Sequence, residues 1–261
     1  MKWNILTNLI IYYGLLTLVL YFVSDFIMFP SPKASYQDNA LNFPPVIKLK
    51  TQDGKKISAI YLKNPKAKQT ILFSHGNGED LGSILFLLEE FQRIGFSVFA
   101  YDYHGYGSSE GRPSEYTSYL DIQAAYLYLT QTLAIPPQDI ILYGRSIGTG
   151  PTLELAQKAA IGGVILEAAM VSAFRVITIL PLFPIDKYRN NQKITKIRAP
   201  ILFIHGTEDK TIPIWHGKYL YHLANGPKRF YPVEGAGHNN VMAVGGDRYL
   251  QAILSFAASL K

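Results

Sequence analysis

The chain predicts an α/β protein: a doubly wound, mostly parallel sheet of eight strands with a short lid insert, preceded by one N-terminal transmembrane helix. Three observations predict it. From Val46 onward, short runs rich in β-branched and aromatic residues alternate with longer stretches of helical character, the order expected of repeated strand–helix units. Several of these runs are apolar at consecutive positions, as strands covered on both faces are. Hydrophobic residues make up 48% of 261, ample for a substantial core.

The elements follow in order. Val46–Lys50 and Ile57–Leu62 form a hairpin around Asp53-Gly54, a favoured tight-turn pair. Strand Thr70–Phe73 leads to a helix over Asp80–Ile94, and strand Ser97–Tyr101 leads through a glycine-rich loop to a helix over Glu115–Thr132. Strand Asp139–Tyr143 and a helix near Thr152 come next, followed by strand Gly163–Glu167 and an irregular insert over residues 171–199. Strand Pro200–Ile204, a helix over Ile214–Leu223, strand Arg229–Val233 and a helix over Asp247–Leu260 complete the domain, which spans residues 46–261. No internal repeat or low-complexity segment interrupts it.

Ahead of it, residues 1–29 read as a membrane anchor and residues 30–45 as a linker. Ile5 to Val23 is almost wholly apolar and uncharged, about the length that crosses a bilayer core. Trp3 stands at its start, and Tyr21, Phe22, Phe26 and Phe29 stand at its end, as interfacial aromatics do. A cleaved signal peptide and a buried soluble helix are the alternatives; for the former the run is long and no Ala-x-Ala-like site follows. Lys2 on one side and Asp25 and Lys33 on the other do not set which side the domain occupies. The absence of cysteine rules out disulfides without naming a compartment.

Gly144-Arg145-Ser146-Ile147-Gly148 lies between a strand and a helix, the context of a nucleophile elbow. A serine there needs a base to take its proton and an acid to orient the base. Both follow in the order serine, acid, histidine. Asp209 lies in the loop after the strand ending at Ile204, with Glu208 as its rival, and His238 lies beyond the last strand. Ser146 is therefore expected to be the nucleophile, His238 the general base and acid, and Asp209 the orienter. The oxyanion donors are expected to be the backbone N–H groups of Ile147 and Asn77, the latter in the loop Ser74-His75-Gly76-Asn77-Gly78. Among the other histidines, His75 and His205 read as turn-shaping residues, His216 and His222 as surface or packing residues of a helix, and His104 as the competitor for the base. No metal-ligand spacing is present, and the chemistry needs no cofactor.

Five segments together carry a resemblance: Leu72 to Asn77, Tyr101 to Gly107, Ile140 to Thr149, His205 to Asp209 and Val233 to Asn239. They resemble the α/β-hydrolase superfamily over residues 46–261. Within it they are similar to Bem46-like serine hydrolases and to the animal alpha/beta-hydrolase domain-containing protein 17 group. The resemblance implies the α/β-hydrolase fold, Ser146, Asp209 and His238 as the triad, and the chemistry of protein depalmitoylases, which cut cysteine thioesters at membranes. The animal group carries a lipidated cysteine-rich N-terminus; this chain has no cysteine and begins with an apolar segment, an arrangement closer to the Bem46 side.

The insert holds an apolar run, Val176 to Pro184, which either lines an acyl groove, dips toward a bilayer or packs over the sheet. It also holds Lys187, Arg189, Lys193, Lys196 and Arg198, either for headgroups or for solvent. The net charge of +6 suits an anionic surface, and no nucleic-acid module is apparent. The expected partners are thus an acyl-bearing lipid or protein and membrane lipid; the sequence leaves the oligomeric state open. The expected activity is hydrolysis of acyl esters or thioesters by a membrane-anchored serine hydrolase. A lysophospholipase or monoacylglycerol-type lipase, a peptidase, and a non-catalytic tethered binding module are the alternatives.

Overall fold

A computed structural model describes residues 2–38 and 41–260, with side chains described from residue 4. The Lys2 charge and Trp3 ring invoked at the start of the anchor therefore lie outside the described residues, as do residues 39 and 40 of the segment 30–45. The first element, α1 (Lys2–Met28), is the one helix among the described residues that is long and apolar enough to cross a membrane. At 27 residues it is ~40 Å long.

The domain contains eight strands: β1 (Ile47–Lys50), β2 (Lys56–Leu62), β3 (Thr70–Ser74), β4 (Ser97–Tyr101), β5 (Ile140–Arg145), β6 (Gly163–Glu167), β7 (Ile201–Gly206) and β8 (Lys228–Val233). They form one sheet in the order β1-β2-β4-β3-β5-β6-β7-β8. Pairing is antiparallel from β1 to β2 and from β2 to β4, and parallel from there to β8. Pro232 is accommodated because β8 is an edge strand, where a missing N–H leaves no partner unpaired.

Alternation along the strands divides the core in two. Leu72, Phe99, Leu142, Leu166 and Phe203 face one layer, which holds α3 (Glu115–Leu127), α4 (Thr149–Ala156) and α6 (Trp215–Leu223). Ile71, Phe73, Val98, Ile141, Tyr143 and Ile204 face the other, which holds α2 (Leu81–Arg93) and α7 (Val241–Ala258). The short α5 (Asn190–Lys193) lies in the insert. Capping boxes on Asp80 and Ser114 start α2 and α3, satisfying backbone donors that the first turn leaves free. The last helix begins at Val241, six residues before the expected Asp247, and breaks at Gly246, whose φ is 50°. The Gly245-Gly246 pair conceals that first turn from a periodicity reading.

Residues after α1 lie against the domain. Phe29 is buried beside Tyr106 and Tyr188. The Ser35 N–H donates to Asp80 Oδ2 at 2.5 Å, the Tyr36 hydroxyl donates to buried Asp102 at 2.5 Å, and Lys33 makes a bridge with Gly107. These bonds fix where the end of α1 sits relative to the sheet.

Candidate active site

The parallel strands end on one side of the sheet, and the three expected residues meet there. Ser146 follows β5 directly, Asp209 lies in the loop after β7, and His238 lies beyond β8. His238 Nε2 is 3.0 Å from Ser146 Oγ, and its Nδ1 is 2.7 Å from Asp209 Oδ2. Ser146 has φ 55°, a left-handed conformation that non-glycine residues rarely adopt. The neighbouring glycines explain how it is held. A Cβ on Gly144 would lie 2.5 Å from Thr152 Oγ1, and one on Gly148 would lie 2.1 Å from the Ser74 carbonyl oxygen. The turn closes against β3 and α4 only because both positions lack a side chain.

Asp209 is buried, whereas its rival Glu208 is exposed. Its Oδ1 accepts the N–H groups of Thr211 at 2.9 Å and Ile212 at 2.8 Å, leaving Oδ2 for the imidazole. Burial alone would raise this carboxyl. The His238 hydrogen bond, the Ile212 N–H and the nearby imidazoles outweigh it and hold the group below its ordinary value. His205 stands behind the loop, with Nε2 bonded to the Ile212 carbonyl at 2.7 Å, and burial depresses its basicity.

The other buried histidines are otherwise engaged, and His222 is exposed on α6. His104, the expected competitor, is held between Asp121 at Nδ1 and Asp53 at Nε2 and does not line the pocket around Ser146. His75 is fully buried with Nδ1 on the Gly76 carbonyl oxygen. His216 is fully buried and accepts the Val171 N–H, and burial takes it down to about 4. It belongs to packing rather than to the surface. No cluster of potential metal ligands occurs among the described residues.

The pocket at Ser146 holds about 390 Å³, and its lining includes Asn77 and Ile147, the residues whose backbone N–H groups are expected to serve as oxyanion donors. The Asn77 side chain accepts a hydrogen bond from Tyr106 at 3.1 Å, so it braces the loop. Two further groups were not evident from sequence. Glu79 accepts the Gly76 N–H at 2.6 Å and pairs with Arg145, which also contacts Glu167 at 3.3 Å. Arg145 occupies a variable position of the elbow, which offered a weak signal for it. The second group is apolar: Ile27 and Met28 of α1, with Ala173, Val176 and Ile177 of the insert, wall the pocket. A membrane-helix reading of α1 gives no hint that its last turn borders the serine.

The insert is mostly irregular. Ile177, Ile179, Leu180 and Leu182 are exposed rather than packed over the sheet. Its basic residues split. Arg189, Lys196 and Arg198 are exposed, but Lys187 is buried against Asp25 of α1 at 2.5 Å and lies over the Tyr21 ring. Lys193 is also buried, near Glu154 at 3.4 Å.

Comparison with known proteins agrees with this architecture. Residues 65–183 match the family described as Serine aminopeptidase, S33. The chain is 40% identical to human alpha/beta hydrolase domain-containing protein 17B over 218 residues, 80% of this chain and 73% of that protein. It is 38% identical to protein 17C of Xenopus tropicalis over 232 residues, 85% of this chain and 72% of that protein. Among solved structures, the Pyrococcus furiosus esterase Pf2001 superimposes with a TM-score of 0.71 at 17% identity, over 89% of this chain and 97% of the esterase. The chain is a serine hydrolase, and it belongs to the alpha/beta-hydrolase family with the alpha/beta hydrolase domain-containing 17 proteins.

Proposed function

We propose that the protein is anchored in a membrane by α1 and hydrolyses acyl esters or thioesters, with long-chain acyl groups on proteins or lipids as substrates and Ser146, His238 and Asp209 as its triad. The observation that carries this reading is the Asp209–His238–Ser146 hydrogen-bond chain opening onto a pocket walled by apolar residues of α1 and the insert. His238 Nε2 takes the Ser146 proton as Oγ attacks the acyl carbonyl carbon. The N–H groups of Ile147 and Asn77 stabilise the tetrahedral oxyanion, and loss of one such donor typically costs about a hundredfold or more. The imidazolium gives its proton to the departing sulfur or oxygen, leaving an acyl-serine. A water deprotonated by His238 then attacks, and the carboxylic acid departs. The ionised Asp209 keeps Nδ1 protonated and Nε2 free to act.

A thioester substrate is favoured by the resemblance to protein depalmitoylases drawn from the sequence; a glycerolipid substrate uses the same site equally well chemically. Aminopeptidase activity, suggested by the family description, needs a free carboxylate for an ammonium group. Glu79, the carboxylate lining the pocket among the described residues, is already held by Arg145 and the Gly76 N–H. The test uses full-length protein with its Ser146→Ala control against matched long-chain thioester, oxygen ester and lysophospholipid. Thioester or protein-acyl preference that vanishes in the variant supports deacylation, and glycerolipid preference makes the protein a lipase. Turnover that survives in Ser146→Ala overturns the assignment.

A further inference from the structure

Beside the catalytic pocket lies a second cavity of about 240 Å³ between α1 and the insert. Leu20 and Ser24 form one wall, and Phe174, Thr178 and Phe183 form the other. Four residues, Ile27, Met28, Ala173 and Ile177, line both this cavity and the pocket at Ser146. The two spaces therefore adjoin, and the boundary between them is apolar.

Two polar contacts hold the walls together. The Tyr13 hydroxyl donates to the Leu182 carbonyl oxygen, and Lys187 of the insert pairs with Asp25 of α1. The surface around the cleft is greasy on both sides. Ile179 and Leu180 of the insert are 76% and 65% exposed, and Leu16 and Phe26 of α1 are 54% and 89% exposed. An apolar surface shared by a membrane-length helix and its neighbouring loop suits lipid rather than water. Ile27, on the rim of both spaces, is itself 69% exposed.

We propose that this cleft is an acyl-chain site open sideways to the bilayer: it takes the hydrocarbon tail of a membrane-held substrate and delivers its carbonyl to Ser146. The inference rests on the serine-hydrolase reading above. A tail entering between α1 and the insert never crosses water, so binding needs no extraction of the chain from lipid. The walls carry no charged residue, so recognition of the tail is by length and shape. The head of the substrate, whether protein or glycerol, stays in the open part of the pocket near Arg145 and Asn239.

The test measures labelling of Ser146 in lipid nanodiscs by a hexadecyl and a butyl fluorophosphonate. Leu20→Trp and Thr178→Trp fill the cleft from opposite walls, and neither residue lines the catalytic pocket. The expected result in both variants is at least about tenfold slower labelling by the hexadecyl probe, with the butyl rate held within about twofold. An unchanged ratio of the two rates, or an equal loss with both probes in both variants, overturns the acyl site and leaves the hydrolase reading standing. No Ser146 labelling by either probe in the wild type overturns the hydrolase reading and the cleft with it.

Discussion

The two sides of the pocket are built by different physics. On the sheet side, directional bonds fix each group of the proposed triad: two backbone N–H groups hold Asp209, Asp209 and Ser146 hold His238, and glycine sterics shape the Ser146 turn. On the opposite side, α1 and the insert meet mainly through apolar side chains, with the Tyr13–Leu182 and Lys187–Asp25 contacts as polar ties. Bond-making chemistry is lost when atoms move by about an ångström. Hydrophobic recognition is non-directional and follows buried area. The contrast separates what this enzyme does from what it selects: substitutions on the sheet side should change rate for every substrate, and substitutions on the roof should change the ranking of substrates.

The largest effect tests the sheet side. Ser146→Ala or His238→Ala should lower kcat by about 10⁴–10⁶-fold on short and long acyl esters alike, with the melting temperature little changed. A loss confined to long chains would erase the distinction between the two sides. Asp209→Asn comes next, at about 10⁴-fold, because the amide favours the wrong imidazole tautomer. Exposed Glu208→Gln, measured beside it, should leave the rate alone.

That pair also marks what the sequence could reveal. That Ser146, Asp209 and His238 would come together as a candidate triad was legible because strand–loop order and the Gly144 and Gly148 spacing are local signals with a steric cause. The inner strands β3 to β7 were legible because strands buried on both faces are continuous apolar runs, and β1 and β2 because the Asp53-Gly54 pair marks their hairpin. The roof was not. An apolar residue in a membrane helix and one in a pocket wall look the same, so Ile27 and Met28 carry no mark of their position. Lys187 and Lys193 read as surface charges, yet a carboxylate and aromatic rings internalise them. Ser35 and Tyr36 sit in a polar, proline-containing stretch, yet they bond to Asp80 and Asp102. Such pairings join residues far apart in the chain and leave no periodic trace.

A smaller effect concerns the loop proposed to supply an oxyanion donor. Glu79 holds the Gly76 N–H one residue before Asn77 and is itself paired with Arg145. Glu79→Gln keeps the shape but weakens that grip, so kcat should fall about tenfold while KM moves little. A purely structural role would lower stability without this split. Smaller again is the roof's contribution at the membrane. Ile179→Asp together with Leu180→Asp alters exposed residues that line neither cavity. Hydrolysis of long-chain substrate in vesicles should fall several-fold, roughly the cost of keeping two apolar side chains out of lipid, with soluble short-chain turnover unchanged.

The subtlest effect lies in the segment that carries α1 back to the sheet. Asp102 is buried, accepts the Tyr36 hydroxyl and the Leu81 N–H, and burial, the largest influence on it, lifts its carboxyl to about 7. An unfolded aspartate titrates near 4. Between those values the folded protein binds the proton and the unfolded chain does not, so stability falls as pH rises from about 4 through about 7 and then levels. Burial likewise raises Asp121, to about 6, so its part of the fall ends earlier. Buried His75, His205 and His216 are lowered and add stability as pH rises through the unfolded imidazole value near 6.5, while raised His104 subtracts it, so only the difference between wild type and Asp102→Asn isolates Asp102. Melting curves from about pH 6 to 8 should show the wild-type melting temperature declining relative to that of Asp102→Asn, whatever the offset between them. Equal slopes would mean that Asp102 is already ionised in the fold, and that the Tyr36 hydroxyl meets a carboxylate rather than a carboxylic acid. The bond that fixes the end of α1 over the pocket would then be charge-assisted and insensitive to pH in that range.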